Sequence, residues 1–364
     1  MNVAIRCDAS TEIGVGHFTR CYTLASSLVG SGAKVRFVCR HVPAEFESLF
    51  QDPRMTLSRL RATTNEPFKK DLAHSAWLGV DQERDAADTI QELKDAEWDW
   101  LIVDHYALDS RWESELRGVV DRVMVVDDIA DRSHHCDLLL DQNLGKSELD
   151  YRDLLIEPCT KLFGPKYALL SPTFSAARKE ALMTRVERRT QNILITMGGM
   201  DKDNVTASVL QALPKCTLPA DASITVVMGG TAPWISNVRD LAAKVPWPTK
   251  VIVGAKNMAQ LMTEADLAIG AAGSTSWERC CLGLPTILMV LADNQRPIAS
   301  ALNEQGAVMV VDHLAPEASH NLRHGIEELM QDRGKLMALS QAAARVTDGC
   351  GAARVHGAME QAMV

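Results

Sequence analysis

The stretch that decides the fold is NVAIRCDASTEIGVGH, residues 2–17. Its apolar start predicts a β-strand, and Gly14 and Gly16 predict a tight turn that ends at His17. Apolar residues then recur at helical spacing up to a Gly-Ser-Gly stop, which predicts an amphipathic helix. Residues 34–40 read as the next strand. The N-terminal segment therefore predicts a β-α-β unit with a histidine at its first turn.

A glycine turn between a strand and a helix is typical of a loop that binds an anion. Without Cβ atoms, backbone N–H groups can approach a ligand closely, and the helix start adds partial positive charge. His17 would place a proton acceptor beside such a ligand, although a histidine at a helix start can also simply cap or pack. A dinucleotide-binding loop is disfavoured, because Thr19 stands where a third small residue is needed and no acidic residue ends the second strand.

The composition narrows the class of protein. The chain has 364 residues, with 38 basic and 47 acidic side chains and a net charge of -9, which argues against a nucleic-acid partner. Its nine cysteines form no CxxC pair, so we expect buried free thiols in a reducing cytoplasm. Neither an export leader nor an 18-residue apolar span is evident. We expect a cytoplasmic protein with a small-molecule substrate and no membrane partner.

Short apolar runs alternate with helical patterns along the chain, which predicts parallel sheets with crossover helices. We expect an N-terminal Rossmann-like domain at residues 1–174 and a second one at residues 175–345. The polar stretch 175–191 is predicted to be a solvated connecting segment at this boundary. An amphipathic run at residues 322–345 is expected to pack on the core, and residues 346–364 form a segment of uncertain packing.

The second half carries a candidate phosphate loop. The strand at residues 265–269 is followed by a run of glycine, alanine, serine and threonine at 270–276, whose N–H and hydroxyl donors suit a diphosphate. Glu278 lies three residues after Thr275, which is capping-box spacing, but its carboxylate would also suit a ribose diol. The spacing leaves these two interpretations open. Another glycine turn follows a predicted strand at Gly198 and Gly199.

Two such domains predict an α/β protein of two Rossmann-like domains facing across a cleft, which is the GT-B fold. Residues 256–294 resemble the UDP-binding region of the UDP-GlcNAc transferase that makes lipid II. Six motifs follow one another along the chain: Arg6-x-Asp8, Ile13-Gly14-x-Gly16-His17 with Arg20, Asp104-His105-Tyr106, Met197-Gly198-Gly199, Gly273 to Glu278, and Asn294-Gln295. Through these motifs the chain resembles, over most of its length, the UDP-2,4-diacetamido-2,4,6-trideoxy-β-L-altropyranose hydrolases of pseudaminic acid biosynthesis.

The resemblance implies a role for each matching residue. His17 would be the base that activates water, and Tyr106 and Asn294 would line the sugar site as catalytic or positioning groups. From the residues alone, Tyr106 is equally well explained as an aromatic side chain that forms a wall of the site, and Asn294 as a residue in a loop turn. The backbone between Ala255 and Met258 would hold the uracil. The remaining expected substrate-binding residues are Asp8, Gly14, Gly16, Arg20, Gly198, Gly199, Gly273, Ser274, Thr275, Glu278 and Gln295.

The predicted reaction is the hydrolysis of a UDP-sugar with inversion at the anomeric carbon. The diphosphate is a good leaving group, so the main requirement is a base that places water on the opposite face of the sugar. The alternatives are a GT-B glycosyltransferase, which needs an acceptor site as well, and a non-catalytic nucleotide-sugar sensor. We expect no metal or cofactor, because the donor groups at 104–105, 127–128 and 134–137 match no metal-ligand spacing.

Overall fold

A computed structural model of the chain describes residues 1–61, 68–156 and 158–363. The chain divides into two compact units, which are Met1–Leu169 with Gly351–Val364, and Leu170–Cys350. We call them unit 1 and unit 2.

Unit 1 contains a seven-stranded sheet in which every neighbouring pair of strands is parallel. Its strands are β1 Asn2–Cys7, β2 Lys34–Cys39, β3 Met55–Arg59, β4 Trp100–Asp104, β5 Arg122–Val126, β6 Leu138–Asp141 and β7 Thr160–Phe163. Their order in the sheet is β3-β2-β1-β4-β5-β6-β7. The connecting α-helices are α1 Gly16–Gly30, α2 Ser75–Leu78, α3 Gln82–Leu93 and α4 Ser110–Leu116. The order reverses direction between β1 and β4, which is where open α/β sheets bind ligands.

The central strands of unit 1 are buried on both faces. Val3 and Ile5 of β1 belong to one hydrophobic cluster together with Phe18 of α1, whereas Ala4 belongs to a second cluster with Trp112 of α4. A strand covered on both faces has an unbroken apolar sequence. This explains why β1 is recognisable in the sequence as an apolar run.

Unit 2 contains a six-stranded parallel sheet with the order β10-β9-β8-β11-β12-β13. Its strands are β8 Asn192–Thr196, β9 Ser223–Met228, β10 Thr249–Val253, β11 Leu267–Ala271, β12 Thr286–Val290 and β13 Met309–Asp312. Its helices are α5 Pro172–Glu187, α6 Val205–Ala212, α7 Ile235–Ala242, α8 Met258–Glu264, α9 Thr275–Cys281, α10 Arg296–Glu304, α11 Ala318–Gln331 and α12 Arg333–Val346. This order repeats that of the first six strands of unit 1, with the reversal between β8 and β11.

The last helix, α13 Gly351–Gln361, belongs to unit 1 and packs against α1. Val355 and Met359 are fully buried in the same cluster as α1. A Cβ atom added to Gly351 would lie 2.2 Å from the carbonyl oxygen of Ala168, so the helix begins in close contact with the end of the first segment of unit 1. The segment of uncertain packing is therefore a core helix.

The structure differs from the sequence-based expectation at the domain boundary. The polar stretch 175–191 is mostly part of α5 and not a connecting segment, and the boundary expected after residue 174 falls inside this helix. Strands β3 and β7 were not predicted. The amphipathic run 322–345 forms parts of α11 and α12, with Leu322 and Ile326 buried, as expected.

None of the nine cysteines, all of which lie within the described ranges, forms a disulfide; seven are buried, Cys159 is half-buried and Cys350 is exposed. None of the helices within the described ranges is both long enough and apolar enough to cross a membrane.

Candidate active site

The first candidate site lies where β1 and β4 meet at the carboxyl edge of the sheet in unit 1. Gly14 has a φ of +79°, a backbone conformation that side chains rarely adopt, and its N–H donates to the Ser10 carbonyl at 2.8 Å. This closes the turn that leads into α1. His17, the second residue of α1, is thereby held beside the end of β4, with 8% of its surface exposed.

His17 forms a pair with a carboxylate at the end of β4. Its Nδ1 lies 2.6 Å from Oδ1 of Asp104, whose side chain is fully buried. A carboxylate accepts hydrogen bonds, so this contact assigns the ring proton to Nδ1. No side chain of the described residues hydrogen-bonds to Nε2 of His17. Nε2 is therefore the ring nitrogen available to accept a proton.

Arg20, one turn further along α1, holds the same carboxylate. Its Nε and Nη2 donate to the two oxygens of Asp104, each at 2.6 Å, and its Nη1 donates to Asp128 at 2.7 Å. Burial by itself would raise the pKa of the Asp104 carboxyl, but the charges of Arg20 and His17 outweigh it and hold this pKa well below its usual range. Arg20 was expected to contact substrate. Its guanidinium is instead engaged with two carboxylates, so it orients Asp104.

Tyr106 forms one wall of this site. Its hydroxyl donates to Asp128, and burial followed by the charge of that carboxylate raises the pKa of the phenol well above its ordinary value. Its ring packs edge to face on the His17 imidazole, with the centroids 4.6 Å apart and the planes at 82°. The hydroxyl is thus committed to a protein acceptor, which favours the wall interpretation of Tyr106 over a proton-transfer role.

Two aromatic residues of the α2 segment extend this wall, and the sequence analysis missed both. Trp77 stacks on Tyr106 with the ring centroids 5.5 Å apart, and its indole lies 6.2 Å from the His17 ring. His74 contacts both Trp77 and Tyr106, at 4.5 and 5.3 Å between centroids. Both side chains are half-buried. We call His74, Trp77 and Tyr106 the aromatic wall.

Asp8 was expected to bind substrate, but the structure buries it completely. Its Oδ1 accepts the backbone N–H groups of Arg40 and His41 at 2.7 and 3.0 Å, and its Oδ2 accepts from Arg6 at 3.0 Å. His105 Nε2 lies 3.3 Å from Oδ2. Asp8 therefore ties the end of β1 to the end of β2 and has no free oxygen for a ligand.

The second candidate site lies in unit 2, where β8 and β11 meet. Gly198 and Gly199 follow β8, and Gly198 has a φ of +81°. A Cβ atom on Gly229, after β9, would lie 2.1 Å from the carbonyl oxygen of Gly199. The turns after two neighbouring strands therefore approach each other so closely that only glycine fits.

The predicted phosphate loop follows β11. Gly273 and Ser274 form the turn, and Thr275 is the first residue of α9. Ser274 makes no side-chain capping bond, and the Glu278 carboxylate accepts no hydrogen bond from the described residues, so the capping-box interpretation is not supported. Glu278 is half-buried, and burial raises the pKa of its carboxyl to about 7. Its oxygens are free for a ligand with hydroxyl donors.

The remaining expected residues lie at neighbouring strand ends of the same sheet. Ala255 follows β10 and Met258 begins α8, both half-buried. Asn294 is exposed in a 3₁₀ turn after β12. Gln295 closes that turn, because its Oε1 accepts the N–H of Leu291 at 2.9 Å. Among the described residues, no group of three or more His, Cys, Asp or Glu side chains is arranged to hold a metal ion.

The fold of the chain is shared with solved structures. The chain superposes on MurG of Acinetobacter baumannii with a TM-score of 0.71 at 15% identity, covering 99% of both chains. Residues 192–353 match the model of the glycosyltransferase family 28 C-terminal domain. The chain has the GT-B fold. This α/β fold of two Rossmann-like domains confirms the expected fold class.

Sequence comparison confirms the resemblance inferred from the motifs. The chain is 25% identical to the UDP-2,4-diacetamido-2,4,6-trideoxy-β-L-altropyranose hydrolase of Campylobacter jejuni, over 84% of this chain and 97% of that one. It is also 25% identical to the spore coat polysaccharide biosynthesis protein SpsG of Bacillus subtilis, over 99% and 98% of the two chains. An uncharacterised protein of Methanocaldococcus jannaschii is 27% identical over 81% of this chain, and the match spans only 57% of that relative's length.

Proposed function

We propose that this GT-B protein hydrolyses a UDP-linked 2,4-diacetamido-2,4,6-trideoxy sugar to UDP and free sugar, with inversion at the anomeric carbon. The observation that carries the proposal is the 2.6 Å contact between His17 Nδ1 and Asp104, which leaves Nε2 as a proton acceptor at the strand-order reversal of unit 1. A base held in this orientation can remove a proton from the water molecule that attacks the sugar carbon.

In the proposed reaction, water lies on the face of the sugar opposite the diphosphate, and His17 Nε2 removes one of its protons as the new C–O bond forms. The bond between the anomeric carbon and the diphosphate oxygen breaks, and its electron pair leaves with UDP. Asp104 stabilises the imidazolium that results, as the carboxylate does in other histidine–carboxylate pairs. Attack from the opposite face inverts the configuration.

The loop after β11 would hold the leaving group. The hydroxyl groups of Ser274 and Thr275 are donors suited to phosphate oxygens, and the free carboxylate of Glu278 suits the two hydroxyls of a ribose. The backbone near Ala255 and Met258 would take the uracil.

The substrate class rests on the C. jejuni relative and on the aromatic wall. That relative is named as the hydrolase of UDP-2,4-diacetamido-2,4,6-trideoxy-β-L-altropyranose. A sugar with a C6 methyl group and two acetamido methyl groups offers apolar surface, and Trp77 and Tyr106 offer an apolar face beside His17. A role in pseudaminic acid biosynthesis, which the motif resemblance implies, belongs to the same proposal.

The test is incubation of the purified protein with this UDP-sugar in ¹⁸O-labelled water without any acceptor. We expect many turnovers, with the label in the free sugar and an inverted anomer released first. His17→Asn is the matched control and should release UDP far more slowly. Label in the UDP would overturn the assigned bond cleavage. UDP release that depends on an added acceptor would identify a glycosyltransferase, and tight binding without turnover a sensor.

A further inference from the structure

Arg279 carries a buried positive charge that is not ion-paired with a carboxylate of the described residues. Among the described residues, six arginines are almost completely buried, and four of them, Arg6, Arg20, Arg40 and Arg132, form ion pairs with aspartates. Arg279 is 1% exposed and makes no ion pair with any described residue. Burial lowers the pKa of its guanidinium to about 10, although the neighbouring Glu278 acts in the opposite direction. An uncompensated buried charge is costly, so its retention calls for a specific reason.

The buried charge of Arg185, the sixth of these arginines, is explained by its contacts within unit 2. Its guanidinium donates to the carbonyl oxygens of Met262 and Ala265, which are the last turn of α8 and the residue after it. A helix C-terminus is partly negative and has carbonyl groups without partners, so it suits a cation. Arg185 is therefore explained as a structural residue, and it provides the comparison for Arg279.

Arg279 instead lies behind the loop of residues 270–276. Its Nη2 donates to the Ala271 carbonyl at 2.8 Å and to Ser276 Oγ at 3.1 Å, and its Nη1 donates to Thr275 Oγ1 at 3.2 Å. A Cβ atom on Gly270 would lie 2.5 Å from Nη1 and 3.1 Å from the carbonyl oxygen of Thr196, so the guanidinium occupies space beside Gly270 that a side chain there would take. The loop is thus built around this cation.

The contact with Thr275 has a consequence for its hydroxyl group. An arginine can only donate, so Thr275 Oγ1 accepts, and the hydroxyl hydrogen points away from the guanidinium. No described residue accepts that hydrogen. The loop therefore presents a preoriented hydroxyl donor in front of a buried positive charge. An anion with hydrogen-bond acceptor oxygens is the kind of ligand that would suit both features.

We propose that Arg279 is a positioning residue for a nucleoside diphosphate. It orients the Thr275 hydroxyl toward the phosphate oxygens and supplies from behind the loop the positive charge that the diphosphate neutralises. This inference rests on the proposed function only in placing UDP at this loop. It adds a specific requirement, because the guanidinium should contribute to binding of the phosphates and not to binding of the nucleoside.

The experiment compares Kd for UDP with Kd for uridine in the full-length protein, for wild type, Arg279→Met and the matched control Arg185→Met. Loss of a charge-assisted contact should weaken UDP binding of the Arg279 variant by about tenfold to a hundredfold and leave uridine binding unchanged. The Arg185 variant should melt at a lower temperature and keep the wild-type ratio of the two constants. An Arg279→Met protein overturns the inference if it keeps the wild-type ratio of the two constants, whether both affinities are unchanged or both fall by the same factor.

A second pair of variants covers the case in which Arg279→Met does not fold. Arg279→Lys keeps the charge without the planar fork, and Thr275→Val removes the hydroxyl at nearly constant shape. Each substitution should weaken UDP binding. The double variant Arg279→Lys/Thr275→Val should lose less binding free energy than the sum of the two single losses, because both substitutions act through one contact. Additive losses would refute action through Thr275. Failure of the wild-type protein to bind UDP would refute the proposed UDP site itself, whereas UDP binding without hydrolysis would refute only the proposed reaction.

Discussion

Replacing Glu278 by glutamine should make the protein more stable at alkaline pH. The Glu278 carboxyl accepts no hydrogen bond from the described residues, and burial raises its pKa from 4.5 to about 7. One pKa unit corresponds to about 1.4 kcal/mol, so the ionised carboxylate costs the folded state up to about 3 kcal/mol. Solvent reaches part of this half-buried side chain, which makes that figure an upper limit.

The sign of the pH dependence follows from the direction of the shift. Between pH 4.5 and about 7 the folded protein holds this proton more tightly than the unfolded chain does, so the free energy of unfolding falls as the pH rises through this window. The Glu278→Gln variant lacks the titrating group. Urea unfolding at a series of pH values should therefore show similar stability near the acid end and a more stable variant above neutrality.

The same substitution should remove a ribose contact. Wild-type protein should bind UDP better than 2′-deoxy-UDP, and Glu278→Gln should weaken UDP binding by about tenfold or more while losing this preference. Calorimetry with the two nucleotides measures both effects. The reasoning is refuted if the stability difference between the two proteins is independent of pH and the variant still discriminates between the nucleotides as wild type does.

Four further outcomes are expected. His17→Asn should lower kcat by about 10²–10⁴ with Kd for UDP unchanged, and a kcat close to that of wild type would remove His17 from the chemistry. Asp104→Asn should lower kcat to a similar extent, because a neutral amide no longer fixes the ring proton on Nδ1. The same substitution should also lower Tm, since Arg20 loses a buried partner, and an unchanged Tm would contradict the ion-pair assignment. Trp77→Ala should raise KM for the UDP-sugar with little effect on Kd for UDP, whereas an equal change in both would argue against a sugar-facing wall. Hydrolysis should persist after EDTA treatment, and recovery only on adding Mg²⁺ would count against leaving-group stabilisation by Arg279 and hydroxyl groups.

The buried parts of the fold were predictable from the sequence, and the edge strands were not. Strand β12, with the sequence TILMV, is buried throughout, so its apolar run is continuous. Strands β3 and β7, with the sequences MTLSR and TKLF, are the two edges of the sheet in unit 1 and carry exposed polar residues. A strand with one neighbour needs less apolar surface, so its sequence resembles a loop.

The charged residues of α5 led to the prediction of a solvated connecting segment. In the structure, however, the Arg178 guanidinium donates to the carbonyl oxygens of Cys281, Ala344 and Thr347. Backbone acceptors have no signature in the sequence, so burial of an arginine against them could not be foreseen.

The site was predicted in part, for a related reason. His17 and the loop at 270–276 stand in local patterns of glycine and hydroxyl residues, which a sequence reveals. The pairing of His17 with Asp104 joins residues 87 positions apart and depends on β1 lying next to β4. The role of Trp77 depends on the placement of a four-residue helix. Such contacts follow from topology and have no short-range signal.

Helix α13 has a consequence for how the protein is made. It completes the core around α1, although about 180 residues of unit 2 separate it from the rest of unit 1. During synthesis, unit 2 can acquire all of its chain before unit 1 does, while the apolar surface of α1 that Val355 and Met359 later cover remains exposed on the nascent protein. Removal of residues 351–364 should therefore produce a chain that aggregates during expression, even though the segment lies far in sequence from His17.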